Sequence, residues 1–513
     1  MKSHTWMWTT VVYLFAALAM PIGIAAQDNP SPDHKQKHHQ YKLIDVGTFG
    51  GPNSYISNPS VRDVNNRGTL QGWADTPVPD PFNPNCFDPG DCFVAHAFQW
   101  RDGLVTDLGA LPGGGSSAGA WINERGMIVL VSQNGLIDPL TGFPEEACVL
   151  WQKGQIVDLG TFGGNQGAAA AINNRGQIVG GALNTIPDPY SSDITESFIY
   201  FAPAATQSRA ALWQNGVIQD LGTLGGNDAV AILVNERGQI AGLSYTNSTP
   251  NPATGVPTQD PFLWEDGKMK DLGTLGGTFG YPTWVNNRGQ VVGQSDLAGD
   301  STAHPFLWDK GKLVDLGTLG GNNGQALWIN DGGEVVGSAD LPGSHTHDGF
   351  LWKHGVMTDL GTQDGDPCSV ALSINSPGQV TGASTSCGEY QHAFLWENGG
   401  PMVDLNTLVH PASGLRVREG DDINDLGEIA GKAVLPNGDI HAVLLIPCDE
   451  KHLGECEDYS MIEVATPQPS APMAGSPATM KQDTESRLSP ANQFRNRLMQ
   501  RYHLPGQPPV PRD

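Results

Sequence analysis

Positive charge is scarce in this sequence: 28 Lys and Arg stand against 54 Asp and Glu, a net charge of −26 over 513 residues. Phosphate backbones need a basic face, so this balance argues against nucleic acid as a partner. Charged residues of either sign make up only 16% of the chain. Asn, Gln, Ser, Thr and Gly carry much of the polarity, and a surface of neutral hydrogen-bonding groups suits sugars or wall material. Long apolar runs are also missing after the first 26 residues, so no later segment approaches a membrane span. There is no Gly-x-Ser-x-Gly elbow, His-Glu-x-x-His helix or Walker loop, and no cofactor is expected.

What the N-terminus does contain is one lysine, Lys2, ahead of an uncharged apolar stretch from about Val11 to Ala19, then Pro21 and the small residues Ala25 and Ala26. Residues 1–26 read as a secretory signal peptide, with a retained membrane anchor as the alternative. Residues 27–40 read as a linker without order. Cysteines are few, seven in all, and six fall into local pairs: Cys86 with Cys92, Cys368 with Cys387, Cys448 with Cys456. Such pairs fit disulfides in an oxidising compartment, hence a secreted chain, extracellular, surface-held or periplasmic. Cys148 is left over. It is expected as a buried free thiol in "ACVLW", at the place other copies give to Phe306 and Phe394.

Three phrases recur in fixed order, and internal repetition decides the fold before local detail does. An Asp-Leu-Gly phrase starts at Asp45, Asp107, Asp158, Asp220, Asp271, Asp315, Asp359 and Asp404. An Ile-Asn-x-x-Gly-Gln-Ile-Val-Gly phrase places its Asn at 65, 123, 173, 235, 286, 330, 375 and 424. A His-Ala-Phe-Leu-Trp phrase ends at Trp100, Trp151, Trp213, Trp264, Trp308, Trp352 and Trp396, with Leu445 in the eighth copy. Every one of the eight Asn residues has a Gly three positions later, which predicts a tight hairpin capped by the Asn side chain.

The "HAFLW" phrase at His392–Trp396, taken with "DLGTLGG" and "INNRGQIVG", resembles the HAF-repeat family of extracellular bacterial proteins over about residues 41–447. The resemblance implies export and a repeat architecture, and it brings no catalytic residue. Copies one and eight depart most, with "DVGTFGG" and "DLNTLV".

Each copy divides into four strand candidates, as in "ALWIN", "EVVG", "GFLW" and "VMTDLG" between 326 and 361. Four antiparallel strands repeated about every 44 residues, as Asp271, Asp315 and Asp359 are spaced, describe a blade of a β-propeller, and eight copies predict eight blades. The eighth copy lacks a fourth strand, whereas "YKLIDVG" at 41–47 is a fourth-strand phrase with no copy before it. Residues 41–47 are therefore expected to complete the last blade beside Val443 and remove an exposed edge. An open solenoid is the competing architecture.

Insertions fall between the second and third strands, at about 75–95, 183–209 and 244–260. Those loops and the blade-to-blade loops share a face, which makes that face the expected binding surface. Its loop aromatics Tyr190, Tyr245 and Phe279 are the candidate sugar-stacking residues. The serial Trp residues, including Trp121, Trp284 and Trp328, read as packing between blades, and the eight Asp residues as acceptors for backbone amides at glycine turns. The histidines His96, His304, His392 and His441 read as hydrogen-bonded strand starts rather than metal ligands, and no metal site or catalytic residue is assigned. "DVNNRG" and "DINDLGE", at 63–68 and 422–428, carry only a faint likeness to calcium loops.

Residues 448–464 read as a disulfide-closed extension and 465–513 as a Pro-rich tail without order. A short helix over 490–503 would set Phe494, Leu498 and Tyr502 on one stripe among Arg495, Arg497 and Arg501. The functional expectation is a non-catalytic module that binds carbohydrate or cell-envelope material. The alternatives are a polysaccharide hydrolase or lyase and a purely structural surface protein.

Overall fold

A computed structural model describes residues 38–449, with breaks at 58–60, 84–85, 89–90, 196–202, 253, 344, 364 and 411–413. The expected signal peptide, the Cys456 side of the last disulfide and the tail helix lie outside the described residues. Among the described residues no helix is long and apolar enough to cross a membrane.

The protein is all-β and built from four-stranded antiparallel sheets. In the copy that contains Asn330, strands Gly324–Ile329, Val335–Asp340, His347–Lys353 and Val356–Asp359 lie side by side in chain order. The copies that contain Asn235 and Asn286 follow the same order and are joined by a single bridge between Gln259 and Phe279. The copy around Asn424 contributes Arg416–Ile423, Ile429–Val434 and Ile440–Pro447. Its fourth strand is Tyr41–Asp45, with Leu43 opposite Leu445 and Asp45 opposite Val443.

The local chemistry repeats with the sequence. At each strand end the Asp carboxylate accepts the amide two residues on, from Gly47 to Asp45 (2.8 Å) through Asn406 to Asp404 (2.8 Å). At each hairpin the Asn carbonyl Oδ1 accepts the amide four residues on, and the Gly between them takes positive φ, as Gly289 does at 77°.

The HAF phrase has a packing meaning. Gly72, Gly242, Gly293, Gly337 and Gly382 of the second strands pair with Phe98, Phe262, Phe306, Phe350 and Phe394 of the third. All five rings are fully buried. A methyl group on Gly242 would stand 2.7 Å from the Phe262 ring, so the glycine leaves the room the ring fills. The copy with Cys148 solves the same space differently: Leu130 faces Val149, and Cys148 faces Val131. This corrects the sequence alignment above, because Val149, not Cys148, holds the Phe place. The thiol is buried and free, and burial pushes its pKa up.

The disulfides Cys86–Cys92 and Cys368–Cys387 are present. Cys448 is disulfide-bonded as well, and its expected partner Cys456 lies outside the described residues.

Candidate functional site: a cavity behind a circuit of asparagines

Besides capping its own hairpin, each repeat Asn donates through Nδ2 to the backbone carbonyl of the next repeat's Asn. Asn65 donates to Asn123 (3.0 Å), Asn123 to Asn173 (3.0 Å), Asn173 to Asn235 (2.9 Å) and Asn235 to Asn286 (2.9 Å). Asn286 continues to Asn330 (3.0 Å), Asn330 to Asn375 (3.1 Å) and Asn375 to Asn424 (2.9 Å). Asn424 then donates back to Asn65 at 2.9 Å. The residue four positions on steadies the same amide: the Gln177, Gln239, Gln290 and Gln379 side chains accept from Nδ2 at 2.7–2.8 Å, as Glu334 does. This double use explains why the phrase reads Asn-x-x-Gly-Gln. Both donors and the acceptor of a buried amide are satisfied.

The position after each ring Asn forms a second series, interrupted between Asp331 and Ser376, in which carboxylates alternate with Asn side chains and Ser376. The amide nitrogen of Asn66 donates to Glu124 and that of Glu124 to Asn174 Oδ1. Asn174 donates to Glu236, Glu236 to Asn287, and Asn287 to Asp331. Ser376 donates to Asp425, and Asp425 to Asn66. Glu124, Glu236, Asp331 and Asp425 thus occupy every second position around the rim.

Inside this rim lies a cavity of about 260 Å³, lined by residues of both circuits, by Arg62, and by Trp121, Trp284 and Trp328. The indoles lie two places before their Asn and stack on one another. Trp284 and Trp328, from adjacent copies, have centroids 3.4 Å apart, and Trp121 stacks on Trp284 at 5.2 Å. Trp121 and Trp284 belong to copies separated by two others, so these rings pack into the middle of the assembly rather than only between neighbours. The Trp284–Trp328 stack is the packing between copies that was expected, and the Trp121–Trp284 stack extends it beyond neighbours. Arg62 comes from an insertion in the first copy's inner strand. Its carbonyl accepts from Ile122 at 3.2 Å, and its guanidinium lies 3.9 Å from Glu124.

In the first and last copies Asp63 and Asp422 stand where three of the other copies place these indoles, two positions before their Asn. Asp422 Oδ2 accepts the amides of Asp63 (3.0 Å) and Val64 (3.1 Å), tying the last copy to the first. Burial holds both carboxyls above their usual range, and Asp63 accepts from Gln71 at 2.6 Å. The faint likeness to calcium loops therefore has another origin: the two carboxylates serve backbone amides and a glutamine.

The expected binding face looks different. First-to-second turns and second-to-third loops sit at opposite ends of the second strand, so the cavity opens away from the insertions. Those insertions carry apolar residues that fold inward. Phe87 and Ile194 join Tyr245, Tyr281, Val230 and Ala168 in one buried cluster, with Tyr190 and Phe279 packed against it. Tyr245 is 1% exposed and its hydroxyl donates to the Tyr190 carbonyl. The three proposed stacking residues are brought together in this buried cluster, which corrects the reading of Tyr245 as an open platform. Apolar side chains carried on surface insertions are buried against the nearest apolar surface.

The strand-start histidines pair with the repeat Asp across the third and fourth strands: His96 with Asp107 (3.0 Å), His304 with Asp315 (2.9 Å) and His441 with Asp45 (2.8 Å). Arg209 does the same with Asp220, whereas His392 turns to Asp366. In two copies an Asp stands in the His place. Burial and then the charge of Asp271 push Asp260 up to about 7, and burial and Asp359 do the same to Asp348.

No protein-family model matches this chain, and no curated protein matches it. Among solved structures it is similar to TolB from Acinetobacter baumannii, at 14% identity and TM-score 0.30, over 56% of this chain and 60% of that one. It is also similar to an ulvan lyase from a polysaccharide lyase family, at 10% identity and TM-score 0.35, over 78% and 95%. The Trypanosoma rangeli sialidase is similar at 9% identity and TM-score 0.31, over 76% and 60%. The chain spans less than two thirds of the length of TolB.

Proposed function

We propose that this is an exported HAF-repeat protein whose four-strand sets are the blades of a closed eight-bladed β-propeller, and that it binds carbohydrate in the axial cavity without catalysis. The amide circuit that returns from Asn424 to Asn65 supports the closed ring, as does the pairing of Tyr41–Asp45 with the last copy. Disulfides support export.

One observation carries the binding reading: indoles lie beneath a rim where carboxylates alternate with Asn side chains and Ser376, around a cavity of about 260 Å³. The indoles that line the cavity offer apolar contact to the C–H groups of a sugar, and the amides donate to and the carboxylates accept from its hydroxyls. Four rim carboxylates against one guanidinium disfavour anionic polysaccharides, so the ligand class is a neutral or amine-bearing glycan. The carboxylates are regularly spaced and each already accepts a backbone amide, which suits binding better than proton transfer.

The test is a glycan array with the purified full chain, followed by titration of any hit into wild type and W121A, with the melting temperature of each recorded. Retention of a neutral or amino glycan, weakened at least tenfold in a folded W121A, supports the reading. Binding confined to anionic glycans, no binding, or binding indifferent to W121A overturns it. Release of a shortened product would replace the binding module with an enzyme.

A further inference from the structure

One histidine breaks the strand-start pattern. His96, His304, His392 and His441 stand four places before the residue that ends their phrase, whereas His347 of "HTHD" stands five places before Trp352. Successive side chains of a strand point to opposite faces, so this shift of one residue turns the ring away from the fourth strand, and Asp348 takes the place beside Asp359. His347 instead meets the next copy, where Cys368 opens the inner strand Cys368–Ile374 and Cys387 lies just past the second strand Val380–Thr385. The His347 amide donates to Cys368 Sγ at 3.3 Å. In four other copies the corresponding amide, of Ala95, Ser208, Ala303 or Ile440, donates to a side-chain oxygen of Ser116, Asp228, Asn323 or Asn53. Sulfur therefore stands here where those copies place oxygen. One ring nitrogen of His347 and the sulfurs of Cys368 and Cys387 lie within 4.8 Å of one another. The imidazole is only 9% exposed, and its Nδ1 is sealed from solvent without a hydrogen-bond partner. A buried ring nitrogen left unpaired costs stability unless another group meets it.

We propose that reduction of the Cys368–Cys387 bond turns this corner into a zinc site of two thiolates and one imidazole. A dithiol reductant supplies two electrons and two protons, is itself oxidised to a disulfide, and leaves two thiols. Zinc(II) then displaces both thiol protons to solvent and accepts three lone pairs, the third from His347. Two sulfurs and an imidazole nitrogen are a donor set that suits zinc, and three protein ligands leave a fourth position for water. Two thiolates on one zinc ion stand about 3.8 Å apart, and sulfur and nitrogen about 3.6 Å. Once the bond is broken, donors that already lie within 4.8 Å of one another reach these separations by small side-chain rotations. The ion would also close the same loop as the disulfide, between residues 19 apart in the chain. Staple and metal site are thus two states of one corner, chosen by the supply of thiol reductant.

Cobalt(II) is the probe, because its absorption bands report thiolate ligation and tetrahedral geometry directly. The full chain is reduced with a dithiol, freed of it without air, and titrated with cobalt(II) and then zinc(II), beside C368S/C387S and H347A. Wild type is expected to bind one more equivalent with sulfur-to-cobalt bands than C368S/C387S, a difference that cancels whatever the other cysteines hold. H347A should weaken that equivalent at least tenfold, zinc(II) should displace the cobalt(II), and reoxidation by a small disulfide should release it. H347A keeps every sulfur, so it decides the matter even if the serine variant is unstable. Near-ultraviolet circular dichroism of each reduced protein shows whether the fold is kept. Equal uptake by wild type and C368S/C387S, affinity indifferent to H347A, the same extra equivalent bound before reduction, or a fold lost on reduction overturns the proposal.

Discussion

A methyl group at Gly337 would sit 2.0 Å from the Gln325 carbonyl oxygen and 2.9 Å from the Ala326 Cα, both backbone atoms that cannot swing aside. G337A is therefore expected to cost on the order of 2 to 3 kcal/mol through overpacking. G388A is the matched control. Nothing lies within 4 Å of the methyl there, and a thermal melt should show almost no change. The ring asparagines make a second residue-scale prediction. Asn286 accepts the amides of Arg288 and Gln290 and donates to Gln290 and to the Asn330 carbonyl. N286A removes all four bonds and leaves buried partners behind, so a loss of roughly 3 kcal/mol in urea unfolding is expected. Much of this was legible in the sequence. The invariant Asn-to-Gly spacing demands a capped turn, and the Asp before each glycine demands a backbone amide. The Nδ2 bond to the next copy was hidden, because spacing along a chain does not say which neighbour a side chain meets across a sheet-to-sheet contact.

Strand pairs set the response to pH. Asp260 and Asp348, held at about 7, keep in the folded state a proton that an unfolded carboxyl near 4 gives up. Stability therefore falls as pH rises from about 4 to 7, and the loss is complete above 7. The His96 pKa is raised, chiefly by the hydrogen bond its ring donates to Asp107, so the stabilisation of that ion pair is also lost as pH rises through the folded value. Burial of Asp107 works the other way, but the His96 bond and the Gly109 amide outweigh it and hold its pKa down. Its stabilisation persists above the ordinary carboxyl range and is lost on acidification. Stability should peak at mildly acidic pH. D260N removes the repulsion with Asp271 and is expected to raise stability at pH 8 by about 1 to 2 kcal/mol after solvent screening, with little effect at pH 5. Melting curves at the two pH values check it, and equal effects at both would contradict the shared-proton account. The strand pattern itself was readable from alternation and glycine turns. That Asp260 and Asp348 take the His position, and what this means electrostatically, follows only from the strand register and the facing Asp271 and Asp359.

At the scale of the whole molecule, the N-terminal phrase "YKLIDVG" was readable as a fourth strand without a copy, and it pairs with the copy that lacks one. The site was not readable. Insertions draw attention to their own face, yet their apolar residues Phe87, Ile194 and Tyr245 are packed into one buried cluster there. The open cavity lies behind the most regular phrase in the sequence, where repetition suggests structure alone. Regularity and function coincide only if eight copies share one axis, which places a single requirement on the fold: the first and last copies must be joined. L43C/L445C probes that junction, since the two positions face each other across the joining strands. A bond there closes a loop of about 400 residues, worth on the order of 5 kcal/mol in the chain-entropy model. The account predicts that the two cysteines oxidise to one another within the monomer, seen by peptide mass mapping, and that the melting temperature rises and falls again on reduction. Persistently free thiols at 43 and 445, or bonds from either to another partner, would contradict it.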